Sequence, residues 1–138
     1  MHKTIVGVQN YVEIPLYKFI LLVEDNDLLA TLLVGATTRQ TTYLIEHVMD
    51  GQSALEVIKH IQPDLLVLDY QLPDINGLEL YESIQAEYDR SYIESIPTIF
   101  ASSDFPDTAP THRRTLYLEK PLSSQKLLDA VNTLLDFD

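Results

Sequence analysis

The chain has 138 residues, room for one domain with a single substantial core. Nine basic against 21 acidic residues leave a net charge of −12, which repels phosphate backbones and anionic lipid and argues against nucleic-acid binding by this chain. The absence of cysteine excludes disulfides and thiolate metal sites and fits a cytoplasmic setting, and the longest apolar run, Phe19 to Val23, is too short to cross a bilayer. Residues 1–17 mix polar and apolar positions and end in EIPLYK, where Pro15 breaks any helix; they read as an extension before the first core strand. KFILLVED is then a strand buried on both faces. Asp27 to about Arg39 carries Leu28, Leu29, Leu32 and Leu33 at helical spacing, although its Thr-rich end is a poor helix former. TYLIEHV is a second strand, Asp50-Gly51 a turn, and Ser53 to Ile61 a helix with Ala54, Leu55, Ile58 and Ile61 on one side. DLLVLD is the third strand, Gly77 to about Tyr88 a helix, TIFAS after Pro97 the fourth strand and TLYLEK the fifth. The last helix begins near Ser123, its N-cap, and buries Leu127, Leu128, Val131, Leu134 and Leu135. Strands separated by helical segments predict right-handed crossovers, a parallel sheet and helices on both faces.

In such a sheet functional groups gather at the carboxyl ends of the strands. The first core strand ends in Glu24-Asp25 and the third in Asp69. If these strands are neighbours, three carboxylates converge, and they would raise one another's pKa unless a cation sits among them. Oxygen ligands alone select a hard ion, Mg²⁺ or Mn²⁺ rather than zinc. The fifth strand brings Lys120-Pro121 to the same edge, and the fourth brings the hydroxyls of Ser102 and Ser103. Acids, a divalent cation, a lysine and a hydroxyl around one carboxylate form a receptor for a phosphoryl group. The carboxylate is its nucleophile, while metal and lysine neutralise the equatorial oxygens. His2, His47, His60 and His112 show no ligand spacing and read as surface or core; Arg113-Arg114 reads as a solvated basic pair.

Over roughly residues 18–136 the chain resembles the receiver domain of two-component response regulators, of the chemotaxis-regulator-like superfamily. The resemblance is carried by Glu24-Asp25, by Asp69 with the following LPDINGLEL, by Ser102 and by Lys120-Pro121, in that order and spacing. It implies a doubly wound α/β fold of five parallel strands in flavodoxin-like order 2-1-3-4-5, with about five helices. It also implies that Asp69 accepts a phosphoryl group from a phosphohistidine on a sensor histidine kinase or a histidine phosphotransfer protein. Asp25 would bind Mg²⁺ directly, Glu24 mostly through water, and Asp69 and the backbone carbonyl of Gln71 would complete the protein ligands. Lys120 would hold a phosphoryl oxygen, and Ser102 would hydrogen-bond the phosphoryl group, with Ser103 the alternative by one register. Tyr117 matches the switch aromatic that turns inward when Ser102 is drawn to the phosphate. The Gln71 side chain lies where residue type tunes hydrolysis of the phosphate.

The chain departs from the family between Ser102 and Lys120. That segment is short, and Pro106 and Pro110 forbid a continuous helix through its first half, so the fourth helix is expected to be stunted, shifted or replaced by a loop over 103–116. The connection AEYDRSYIESI before the fourth strand looks longer than usual. Residues 1–17 match nothing in the family, and their composition suits an added strand or pairing with a second subunit as a homodimer. The resulting expectation is an extension over 1–17 and a stand-alone receiver over 18–138, a phosphoacceptor with intrinsic self-dephosphorylation rather than an enzyme. It would signal to a downstream protein partner or relay the phosphate. Two rivals are a degenerate receiver that docks partners without being phosphorylated, and an aspartyl-nucleophile phosphatase. Tyr70-Gln71 after Asp69 offers no acid-base partner two residues on, which opposes the phosphatase.

Overall fold

The structure, a computed structural model, describes residues 2–5, 12–15, 17–87, 96–106 and 114–135. Two short strands, β1 (His2–Ile5) and β2 (Val12–Pro15), pair antiparallel with each other as a separate two-stranded sheet. The main sheet comprises β3 (Phe19–Val23), β4 (Leu44–Val48), β5 (Leu65–Asp69), β6 (Thr98–Ser102) and β7 (Thr115–Glu119). All its pairings are parallel and their order is β4-β3-β5-β6-β7, which is 2-1-3-4-5 when the core strands are counted alone. Four helices are described: α1 (Asp27–Gln40), α2 (Gly51–Ile58), α3 (Gly77–Glu87) and α4 (Ser124–Leu135).

Alternation of side chains along each strand sorts the core into two layers. Ile20, Leu22, Leu65, Val67 and Ile99 pack against α1 and α4 on one face; Leu21, Val23, Leu66, Leu68 and Phe100 pack against α2 and α3 on the other. The central strands β5 and β6 are buried at every position, whereas the edge strands β4 and β7 are only partly covered. Each fully buried Leu or Ile contributes roughly 1.5–3 kcal/mol, so this double layer fixes where the strand ends emerge.

Local chemistry sets the helix starts. Asn26 caps α1, its Oδ1 accepting from the Leu29 amide at 3.0 Å. The Thr-rich end of α1 is nonetheless helical: Thr37 Oγ1 satisfies itself on the Leu33 carbonyl, and Thr41 closes the last turn on the Thr37 carbonyl. Helix α2 starts at Gly51, two residues before the expected Ser53, because Asp50 accepts from the Ser53 amide at 2.7 Å. Ser123 caps α4 as expected, accepting from the Lys126 amide at 3.1 Å.

Two expectations, for Ile61 and Arg114, are corrected. Helix α2 ends at Ile58, and Ile61 beyond it is 49% exposed rather than on the buried side. Leu28 and Leu32 of α1 point to solvent at 71% and 58% exposure, while Leu33 enters the core and Leu29 packs on it. Arg114 is half-buried, and its guanidinium donates to the Leu134 carbonyl at 3.2 Å, tying β7 to the last turn of α4. Arg113, Tyr88 and most of the short segment expected to replace a fourth helix (107–113) lie outside the described residues, as does most of the connection over 86–96.

Candidate functional site

The carboxyl ends of β3, β5, β6 and β7 meet at one edge of the sheet. Glu24 directly follows β3, and its amide donates to the Val48 carbonyl at 3.0 Å, so the ladder holds the residue in place as it leaves the core. Its buried carboxylate is engaged at both oxygens: Oε2 accepts from the Asn26 amide at 3.0 Å, and Oε1 faces Lys120 Nζ at 2.9 Å. Asp25 beside it is exposed. Asp69, the last residue of β5, is 5% exposed. Its Oδ1 accepts from the Gln71 amide at 3.0 Å and its Oδ2 from Lys120 Nζ at 3.1 Å. Lys120 follows β7, its amide donating to the Ser102 carbonyl at 2.8 Å, and the Lys120-Pro121 peptide is cis.

The electrostatics follow from this geometry. Burial pushes the Asp69 carboxyl up from its ordinary 3.8 to about 6; the Gln71 amide opposes this, the Glu24 charge adds to it, and Lys120 draws it back. Burial alone would lower the Lys120 ammonium, but its hydrogen bond to Glu24 and the charges of Asp69 and Glu24 together raise it. Carboxylate oxygens of Glu24, Asp25 and Asp69 all lie within 4.8 Å of one another. One ammonium cannot neutralise three ionised carboxylates that close, and every donor is a hard oxygen, so the donor set fits a hard divalent cation such as Mg²⁺ or Mn²⁺.

The surrounding backbone frames this centre. Ser102 is buried at the end of β6, its Oγ accepting from the Asp104 amide at 3.1 Å, while Ser103 is exposed. Beyond Asp69, the Tyr70 amide donates to the Ala101 carbonyl at 2.8 Å, and the Gly77 amide donates to the Tyr70 carbonyl at 2.7 Å. A Cβ at Gly77 would stand 2.8 Å from the Asp69 carbonyl oxygen and from Tyr70 Cα, so the turn between β5 and α3 closes only on glycine. Tyr117 lies on the α2–α3 side, stacked on Phe100 with centroids 5.2 Å apart and met edge-on by Phe105 at 5.2 Å. The structure thus brings Glu24, Asp25, Asp69 and Lys120 together, with the Gln71 amide on Asp69, Ser102 on the adjacent strand end and Tyr117 in the aromatic layer beside them.

Two contributors escape a reading of the sequence. Asp74 reaches from the β5–α3 loop to the start of α2, accepting from the Gly51 and Gln52 amides at 3.0 Å each. Those hydrogen bonds, the Gly51 one foremost, hold its carboxyl below the ordinary value. A ring nitrogen of His47 lies 2.7 Å from the Glu24 carbonyl oxygen, fixing the chain where Glu24 turns into the site. An acid before α3 and a strand histidine carry no spacing signal that would mark either.

Comparison with known proteins places the chain among its relatives. The family described as response regulator receiver domain matches residues 20–132. The polar-differentiation response regulator DivK of Brucella anthropi is 27% identical over 122 residues, covering 86% of this chain and 96% of DivK. The receiver domain (CheY-like) from Methylobacillus flagellatus superposes with a TM-score of 0.69 at 22% identity, over 86% of this chain and 98% of that one. The chemotaxis response regulator CheY4 of Vibrio cholerae does so with a TM-score of 0.72 at 20% identity, over 87% of this chain and all of CheY4, and both likenesses show the fold. With a family match across most of its length and the doubly wound sheet to go with it, the chain belongs to the response regulator receiver domains.

Proposed function

We propose that this receiver accepts a phosphoryl group on Asp69 from a phosphohistidine, carried by a sensor histidine kinase or a histidine phosphotransfer protein, in a Mg²⁺-dependent reaction. The observation that carries the reading is the single ammonium of Lys120, set 2.9 Å from Glu24 and 3.1 Å from Asp69 at a buried strand end. Such a centre is costly to build without a ligand of opposite need. Asp25, Asp69 and the Gln71 carbonyl would hold the cation directly. Glu24, with both oxygens already engaged, would reach it through water. The cation, when bound, supplies positive charge to the phosphoryl oxygens (Mn²⁺ would serve the same role).

Asp69 reacts as the carboxylate, the dominant form above about pH 6 in the metal-free site and the form that a bound cation would favour further. One of its oxygens forms the new O–P bond as the P–N bond of phosphohistidine breaks, and the electron pair leaves with the imidazole. Lys120 exchanges its hydrogen bond to Asp69 Oδ2 for one to a phosphoryl oxygen, while Glu24 keeps its stem oriented. Of the two candidate hydroxyls, Ser102 is the better placed: it is buried at the strand end, and its oxygen already accepts the Asp104 amide, which leaves its proton to donate. Tyr117 then responds as the switch aromatic. The protein signals through a downstream protein partner or relays its phosphate onward. It is a cytoplasmic phosphoacceptor that loses phosphate by self-hydrolysis, tuned by the Gln71 side chain, rather than an enzyme with turnover.

The test is incubation with acetyl phosphate and Mg²⁺, read by mass spectrometry of the intact protein. The wild type gains one phosphoryl group, and Asp69→Asn and metal-free samples gain none. A folded wild type that gains none refutes the proposal and leaves docking without phosphorylation as the working alternative.

A further inference from the structure

We propose that Phe105 is a positioning residue that transmits movement of the Ser102 hydroxyl to the ring of Tyr117, an inference that rests on the phosphoacceptor reading above. Phe105 comes three residues after Ser102, in the segment where the family pattern breaks. Its ring meets Tyr70 edge-on at 5.4 Å and Tyr117 edge-on at 5.2 Å. Tyr70 is the residue after Asp69, and Tyr117 comes three residues before Lys120. One ring therefore bridges the residue after Asp69 and the strand that ends in Lys120, while its own chain carries the hydroxyl. Phe100 closes the cluster: it stacks on Tyr117 at 5.2 Å with an interplanar angle of 19° and meets Tyr70 and Tyr81 edge-on at 6.0 and 5.5 Å.

The link from Ser102 to this cluster is a hydrogen bond. The Asp104 amide donates to Ser102 Oγ at 3.1 Å, so a shift of that oxygen toward a phosphoryl group either breaks the bond or draws the Asp104–Phe105 backbone after it. The backbone is stiff there. Pro106 has a fixed φ, and as the residue before a proline Phe105 is confined to extended conformations. The displacement is passed on to the Phe105 side chain. Closely packed rings do not deform continuously; they re-seat as a set, and Tyr117, held between Phe100 and Phe105, re-seats with them.

The experiment adds beryllofluoride and Mg²⁺ to the wild type, Phe105→Leu, Phe105→Ala and Phe105→Trp. Bound fluoride is followed by fluorine NMR, and the Tyr117 ring by carbon-13 tyrosine NMR assigned through Tyr117→Phe. The expected result is bound fluoride in all four folded proteins, a shift of the Tyr117 signal in the wild type, loss of that shift in the leucine and alanine variants, and its return in the tryptophan variant. Should the alanine variant fail to fold, the leucine variant, which keeps an apolar side chain in place, decides. A Tyr117 shift of wild-type size in Phe105→Leu with fluoride bound overturns the coupling and leaves the phosphoacceptor reading intact. Loss of bound fluoride in folded Phe105→Leu also overturns it, because the ring would then be holding the site together. No bound fluoride in the wild type sinks the phosphoacceptor reading, and this inference with it.

Discussion

Replacing Asp69 by Asn should make the metal-free protein more stable at neutral pH. Folding moves this carboxyl from 3.8 to about 6, mainly by burial. For a carboxyl raised in the folded state, the stability it contributes is fully present below 3.8 and is lost as pH rises through about 6. Above that range the ionised group therefore costs up to about 3 kcal/mol. Asparagine removes the charge and keeps an acceptor for the Gln71 amide, and Lys120 keeps Glu24 at 2.9 Å. The pull of Lys120 is already contained in that value, but the Asn amide nitrogen cannot accept from Lys120 as Oδ2 does, which reduces the net gain to roughly 1–2 kcal/mol. In a domain of this size that raises Tm by roughly 3–8 °C. The assay is thermal melting of both proteins in chelator across pH 4 to 8. The Asn variant should melt higher at pH 7.5 and the two should converge toward pH 4, where the wild-type carboxyl is protonated. Millimolar Mg²⁺ should raise the wild type more than the variant and narrow the gap at neutral pH. An Asn variant that melts lower at pH 7.5, or an advantage that persists undiminished at pH 4, refutes the electrostatic account of the site.

Asp74→Ala should cost about 1 kcal/mol, because the start of α2 loses a carboxylate that satisfies two of its amides. Its depressed pKa makes that contribution fully present above 3.8 and lost as pH falls through the lower folded value, so chemical denaturation should show the deficit at pH 7 and little of it in strong acid. Gly77→Ala should destabilise by roughly 1–3 kcal/mol and slow phosphorylation by acetyl phosphate, since a Cβ 2.8 Å from the Asp69 carbonyl must push the acceptor strand end aside; an unchanged denaturation midpoint would contradict the geometry.

The strand pattern and the charged centre were legible because both are written in local signals. Continuous apolar runs marked β3, β5 and β6, and an acid or lysine directly after a run marks where a buried strand surfaces. Which leucines of α1 face inward was not legible. Leu28 with Leu32 and Leu29 with Leu33 form two adjacent stripes of equal hydrophobicity, and only the sheet beneath selects the second. Ile61 fits the period of α2, but the helix stops three residues short of it. Arg114 and Asp74 act through partners 20 and 22–23 residues away in sequence, the Leu134 carbonyl and the amides of Gly51 and Gln52, so no window around either reveals its role. The Phe105 contacts are hidden for the same reason: three strands must assemble before the ring has neighbours.

The two ends of the sheet are built on opposite principles. At the amino end polar groups are matched in pairs: Asp64 Oδ2 accepts from the Phe19 amide at 2.7 Å while the Asp64 amide donates to the Phe19 carbonyl at 2.8 Å. Arg114 anchors β7 to α4 at that same end, even though its φ of 60° is a conformation that non-glycine residues adopt only at some cost. At the carboxyl end the charges do not balance: three carboxylates crowd one lysine, and the Asp69 carboxyl is raised by burial. Ligand energy delivered there works against strands whose far ends are tied, so it cannot be spent on sliding them. It is directed instead into the loops that follow Asp69 and Ser102, where single hydrogen bonds from the Gln71 and Asp104 amides are the cheapest contacts to exchange. A fold stabilised at one end and electrostatically unsatisfied at the other would localise its response to binding, as the proposed phosphoryl switch requires.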